Sequence, residues 1–180
     1  FILLRKQGTV SFPNDNDVKS AFPTRQIYRI PSNYKFFLFE RMENENSPEA
    51  NDTIVKKMKD GIFTIEHIMP QTLTPQWKEE LGENWQQIYD TYLHTFANLT
   101  LTGFNTSYSN HSFQEKKDGY TDRKGNKING FKNSAFCLSN YLKQCSKWTI
   151  DEIKERQQIL LENFLRLWPM IKTEYVPLEK

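Results

Sequence analysis

Glu66 and His67 stand side by side near the end of GIFTIEHIMP (61–70), and Asn98 and Asn105 flank a second short run, LTLTGF. These residue types suit the hydrolysis of a phosphodiester. That reaction needs a base to deprotonate water and a cation to neutralise the phosphate and the leaving oxygen, and it asks little else of the protein. A histidine with its unperturbed pKa of about 6.5 is mostly neutral at cellular pH and can take the proton. A Glu66 carboxylate and an Asn105 carbonyl are hard oxygen ligands of the kind magnesium prefers, so together they would hold one Mg2+, or Mn2+ in its place. Adjacent strand residues point to opposite faces, so Glu66 and His67 can share a site only where the strand twists or ends. Pro70 supplies such an end.

The elements that must position these residues follow from spacing. We divide the chain into a helical N-terminal part (1–60), a core (61–120) with a helical insert (75–96), and a basic loop with C-terminal helices (121–180). In the first part FPNDND marks a turn or helix start, YKFFLFERM has helical spacing, and ENENSPEAND is a polar connection. GIFTIEHIMP reads as a strand bounded by Gly61 and Pro70, and LTLTGF alternates and can pair with it. Between them, Trp77, Leu81, Trp85, Ile88, Tyr92 and Phe96 recur at helical steps that Gly82 divides into two helices. Ser112 or Asn110 caps a short helix through Lys117, which completes the order strand, strand, helix. GYTDRKGNKINGFKN reads as a mobile basic loop before a helix near Ser134 to Lys143. In the last helix Thr149 and Glu152 form a capping box, Trp148 and Ile153 occupy staple positions, and Ile153, Leu160, Leu161, Phe164, Leu167 and Trp168 share a face ending at Pro169. The expected fold class is therefore α+β and mainly helical, with a ββα unit embedded in helices.

Lys116 and Lys117, and separately Arg123, Lys124 and Lys127, are candidate phosphate contacts; each group reads equally well as solvated surface. Asn98 could close a turn through its side chain. His94, on the insert, reads as an ordinary surface or core residue, and the four tryptophans read as core rather than as base-stacking platforms.

Bulk properties exclude several classes. A chain of 180 residues with 37% hydrophobic and 14% aromatic content can bury a real core and is not disordered. The net charge of +2 supplies no overall basic field, so a nucleic acid would be held by local patches. Cys137 and Cys145 lack metal-knuckle spacing and are expected to be reduced thiols. No stretch approaches the roughly 20 apolar residues of a membrane span, and no secretory signal is visible, so the expected location is the cytoplasm. The chain begins with Phe1 rather than Met, which reads as a fragment of something longer.

FTIEHIMPQTL, the following W and LG, NLTLTGFN and SNHSFQEKK resemble the HNH (His-Me finger) domain at the C-terminal end of GmrSD-type modification-dependent restriction endonucleases. FPNDND, YKFFLFERME and WTIDEIKERQQILLENFLRLW extend the resemblance over nearly the whole chain. The resemblance implies a ββα-metal finger set in helices that cuts DNA with a divalent cation. It makes His67 the water-activating base, Glu66 a metal ligand, Asn98 the asparagine that orients the loop, and Asn105 the second ligand. The motif then reads H-N-N, with Asn110 and His111 as further possible ligands. By the same resemblance the partners are double-stranded, foreign or modified DNA and an N-terminal sensor domain, in a bacterial antiviral defence system. Two other readings stay open: an inert nucleic-acid-binding module on the same scaffold, and a nuclease acting on RNA.

Overall fold

The structure, a computed structural model, describes residues 13–45, 47, 51–103 and 108–169. Asn14 accepts from the backbone of Asn16 and Asp17, and Asp17 reciprocates, so a capping box starts α1 (Asp15–Ala21). A 3-10 turn (Ile27–Arg29) leads into α2 (Ser32–Asn44), which buries Phe39, Met42 and Glu43, and α3 (Ile54–Lys59) follows. The first strand is β1 (Thr64–His67), which stops before Pro70 as expected.

The insert forms two helices. α4 (Pro75–Leu81) is capped by Thr74 and has proline in its first turn, and Gly82, at φ 80, ends it before α5 (Trp85–Tyr92). A 3-10 turn (Phe96–Asn98) then delivers β2 (Leu99–Thr102), which pairs antiparallel with β1 so that His67 faces Leu99 and Glu66 faces Thr100. α6 (Phe113–Asp118) opens with a capping box between Ser112 and Glu115. The strand–strand–helix order is present, within a mainly helical α+β domain.

The segment expected to be a mobile basic loop is instead an antiparallel hairpin of β3 (Gly119–Thr121) and β4 (Lys127–Asn129). Asp122 orders its turn: one carboxylate oxygen accepts from the backbone of Lys124 and Asn126, and the other accepts from the Asn126 side chain. The helix expected near Ser134 to Lys143 is shorter, a 3-10 turn (Cys137–Ser139) running into α7 (Asn140–Gln144). The final helix, α8 (Ile150–Leu167), carries the expected Thr149–Glu152 box.

Two apolar clusters hold these elements. Trp77 and Trp148, fully buried, and Phe113 centre one cluster beneath α4, α5 and α6; Phe39, Phe96, Leu99, Leu101, Leu160 and Leu161 centre the other, beneath α2, β2 and α8. Each such large apolar side chain contributes about 1.5–3 kcal/mol by leaving water. Within the second cluster lies a guanidinium. Arg156 of α8 is 1% exposed and donates to the carbonyls of Phe96, Ala97, Leu99 and Leu138. Burial lowers its pKa to about 9. Three of those bonds fix the turn that carries Asn98, and the fourth ties it to the 3-10 turn of Cys137–Ser139. No helix among the described residues is long and apolar enough to cross a membrane.

Candidate active site

His67 is the last residue of β1, 4% exposed, on the strand face shared with its ladder partner Leu99. Its Nε2 lies 3.0 Å from Nδ1 of His94, and the Tyr28 ring meets it edge-on at 4.4 Å between centroids. Burial first, and then the nearby His94, Lys116 and Lys35, lower its pKa to about 3, so the ring is neutral across the physiological range.

Glu66 leaves the opposite face, 3% exposed, toward α6. Lys116, fully buried, donates to Glu66 Oε1 at 2.6 Å, to the His67 carbonyl at 2.8 Å and to the Ile68 carbonyl at 3.3 Å. Burial raises the Glu66 pKa to about 7 even though Lys116 opposes the shift, and burial lowers the Lys116 pKa against the pull of Glu66.

The alternation of faces therefore holds, yet Glu66 and His67 border one cleft of about 330 Å³, with Pro70, Gln71, Thr72, Ser109 and Asn110 as its other walls. The ribbon is two strands wide and ends at His67, so both of its faces reach the same opening. Ser109 has φ 41, a left-handed conformation that costs a residue with a Cβ about 1–2 kcal/mol. That turn delivers Asn110 to the cleft. Strain of this kind persists where surrounding structure over-determines it, and it clusters at functional positions.

Asn98 does not reach the cleft. Its Oδ1 accepts from the Met69 backbone at 2.8 Å and from Trp148 Nε1 at 3.1 Å, while its Nδ2 donates to the Met69 and Leu93 carbonyls. All four hydrogen-bonding positions of the amide are filled in a buried setting, so Asn98 holds the chain just after His67 rather than touching a reacting group. The phosphate contact expected of Lys116 is likewise excluded, because its ammonium is enclosed by Glu66 and two carbonyls. Lys117 is half-buried, whereas Arg123, Lys124 and Lys127 are exposed on the β3–β4 hairpin.

Of the candidate ligands, Asn105 lies outside the described residues. Asn110 lines the cleft; His111 does not, its ring stacking on Tyr120 at 4.1 Å and its Nδ1 lying 3.3 Å from Glu115 Oε1. Among the described residues no three His, Cys, Asp or Glu side chains converge on one point. The donors that border the cleft are hard oxygens: Glu66, with only Oε1 taken by Lys116, and the amide of Asn110. Such a set with open water positions fits a small divalent cation. Burial raises the Glu66 pKa against the pull of Lys116, so the desolvation of this carboxyl exceeds what that lysine offsets.

A larger cavity of about 950 Å³ opens where the ribbon begins, between Phe63, Thr102, Tyr108 and Phe136. Glu43 borders it, but both of its carboxylate oxygens accept backbone N–H groups, from Cys137 and Leu138. The paired histidines are elsewhere, with His67 bordering the smaller cleft.

His94 and Arg156 escaped sequence reasoning. His94 is 27 positions from its partner and sits on no shared periodic face, and Arg156 reads as one more polar residue on an amphipathic helix.

Fold and cleft thus define a mainly helical α+β domain in which a neutral histidine and a carboxylate meet at the end of a two-stranded ribbon. Residues 12–163 match the family described as GmrSD restriction endonucleases, C-terminal domain, and the chain belongs to that family. It is accordingly a nuclease domain of a restriction enzyme, with nucleic acid as its substrate. No curated protein matches the chain significantly.

Proposed function

We propose that the chain is a divalent-cation-dependent DNA endonuclease domain of the HNH (His-Me finger) type, with His67 as general base. The observation that carries this reading is the presentation of His67. Its Nε2 is engaged by His94 while the residue lines the cleft with Glu66 and Asn110, and we therefore assign the remaining ring nitrogen, Nδ1, to the cleft. In the neutral ring Nδ1 can accept a proton from an attacking water. Burial keeps His67 unprotonated beforehand, and the anionic phosphate that the substrate brings against it favours the imidazolium and strengthens the base when it is needed.

Glu66 and Asn110, together with Asn105, would hold the cation, Mg2+ or Mn2+, one per site. When bound, that ion neutralises the phosphate and the leaving oxygen. Lys116 keeps Glu66 oriented and Asn98 keeps the backbone after His67 in place, while Arg123, Lys124, Lys127 and Lys117 contact flanking phosphates. Foreign or modified double-stranded DNA is the proposed target, and an N-terminal sensor domain the proposed source of selectivity.

The deciding experiment incubates supercoiled plasmid with the purified chain and Mg2+ or Mn2+, beside His67→Ala and an EDTA control. The proposal predicts metal-dependent nicking that His67→Ala abolishes. Equal nicking by a folded His67→Ala protein would remove His67 as base, metal-dependent cleavage of RNA alone would move the substrate class, and tight DNA binding with no cleavage under any metal would favour an inert binding module.

A further inference from the structure

The acceptor or donor at His67 Nε2 is a second imidazole, and that choice has chemical weight. A neutral imidazole carries one N–H, so two neutral rings joined between His67 Nε2 and His94 Nδ1 hydrogen-bond in one of two ways. If His67 donates from Nε2, its Nδ1 carries a lone pair toward the cleft and can act as a base. If His94 donates from Nδ1, the proton of His67 must sit on its own Nδ1, and the ring faces the cleft as a donor with no basic nitrogen there. The two states share the same heavy-atom geometry and differ entirely in competence.

His94 is held for one orientation. It follows the end of α5, where the Leu93 carbonyl accepts from Asn98 and the Thr95 hydroxyl donates to the Tyr92 carbonyl. The His94 carbonyl accepts from the Tyr28 backbone at 3.1 Å, and the two rings stack with centroids 5.5 Å apart and planes 11° from parallel. Tyr28 is itself fixed: Lys35 donates to its carbonyl at 2.7 Å and lies 4.6 Å from its ring centroid. Tyr28 also contacts the edge of His67, so one aromatic from the N-terminal part clamps both imidazoles.

We propose that His94 is a positioning residue of the active site, accepting a hydrogen bond from His67 Nε2–H and thereby holding His67 in the tautomer whose Nδ1 lone pair faces the cleft. This rests on the reading of His67 as general base. His94 is not among the residues that line the cleft, and it acts through His67. Asn at position 94 places a carbonyl oxygen near the site of Nδ1 and can keep the acceptor, whereas Leu fills similar space without one.

The test uses the full chain as wild type, His94→Leu, His94→Asn and His67→Ala, each checked for a cooperative thermal transition. Long-range 15N–1H spectra of the metal-free proteins report the His67 tautomer directly, with its signals assigned by their loss in His67→Ala. Wild type is expected to show protonated Nε2 and unprotonated Nδ1 at His67, His94→Asn the same, and His94→Leu a mixture of tautomers. Plasmid nicking is expected to fall about 10- to 100-fold in kcat for His94→Leu with KM little changed, and to recover most of that loss in His94→Asn. A proton on Nδ1 of His67 in the wild type, or a His94→Leu protein with unaltered His67 signals and kcat within twofold of wild type, overturns the inference. Nicking that survives His67→Ala defeats the base assignment instead, so the two failures are distinguishable. The tautomer measurement decides the inference whether or not the plasmid is cut.

Discussion

Lys116 of α6 closes a buried ion pair with Glu66 of β1 across 50 positions of chain, and the same ammonium donates to the carbonyls of His67 and Ile68. One side chain thus satisfies the carboxylate and two backbone groups at the point where the ribbon opens into the cleft. Truncation leaves all three without their donor in a setting where water does not replace it. Lys116→Met is expected to cost about 3–5 kcal/mol of stability, the range for breaking a buried pair from one side. Urea denaturation checks this. A loss below about 1 kcal/mol would mean that solvent reaches Glu66 far more freely than its 3% exposure allows.

The hairpin cations behave in the opposite way. Arg123, Lys124 and Lys127 are exposed, and the turn between them is organised by Asp122 rather than by the cations. Replacing each with Gln should leave the melting temperature nearly unchanged. DNA affinity should fall, and the slope of log K against log salt should shrink by about 0.9 for each phosphate contact removed. Binding isotherms at several salt concentrations, for single and combined variants, measure that slope. An unchanged slope in the triple variant would take the hairpin out of the DNA interface.

The two lysines adjacent in sequence show how far local pattern reaches. In FQEKKD, Lys116 and Lys117 look alike, yet the capping box starts α6 at such an angle that Phe113 and Lys116, one turn apart, both face inward while Lys117 stays partly in solvent. Where local chemistry decides the outcome, it was readable: Gly82 divides the insert, Thr149 and Glu152 start the last helix, and Pro70 lies just past the end of β1. The pairing of Glu66 with Lys116 and of His67 with His94 depends on which elements fold onto which, and no periodicity encodes that. The β3–β4 hairpin was hidden for another reason, since three-residue strands rich in Gly, Asn and Lys are too short to show alternation.

Stability against pH should carry two opposed signatures from the cleft. His67 has its pKa lowered to about 3, so as pH falls below about 6.5 the unfolded chain takes up a proton that the folded chain refuses. Its contribution is present above that range and is lost as pH falls toward 3. Glu66, raised to about 7, has the reverse sign: the folded chain holds a proton that the unfolded chain releases above about 4.5, so its contribution grows as pH falls from 7. In EDTA, His67→Gln should flatten the acid-side loss of melting temperature between pH 7 and 5, and Glu66→Gln should steepen it. Melting curves at half-unit pH steps give both slopes, and identical profiles for the three proteins would show that neither group is desolvated to the degree its burial implies.

Two glycines allow close backbone approach at the base of the hairpin that carries the cations, Gly130 against the end of α6 and Gly119 against β4. A Cβ on Gly130 would stand 2.1 Å from the Lys117 carbonyl oxygen and 2.4 Å from the Gly119 backbone nitrogen, both rigid backbone atoms. Gly119 is at φ 84, and a Cβ there would stand 2.3 Å from the Ile128 carbonyl oxygen. Gly125, at the hairpin turn, has φ 82 but nothing within 4 Å of its would-be Cβ. Gly125→Ala should therefore cost only the left-handed strain of about 1–2 kcal/mol. Gly130→Ala has no such φ strain, yet it must push the hairpin away from the helix, and by overpacking it should cost about 1–3 kcal/mol. The displacement also separates the two variants functionally. Gly130→Ala moves Arg123, Lys124 and Lys127 relative to the cleft and should weaken DNA binding, whereas Gly125→Ala leaves the hairpin base seated and should bind nearly as wild type. Comparing the two by denaturation and by DNA binding tests whether the seat of the hairpin on α6, rather than the mere presence of its charges, sets the interface.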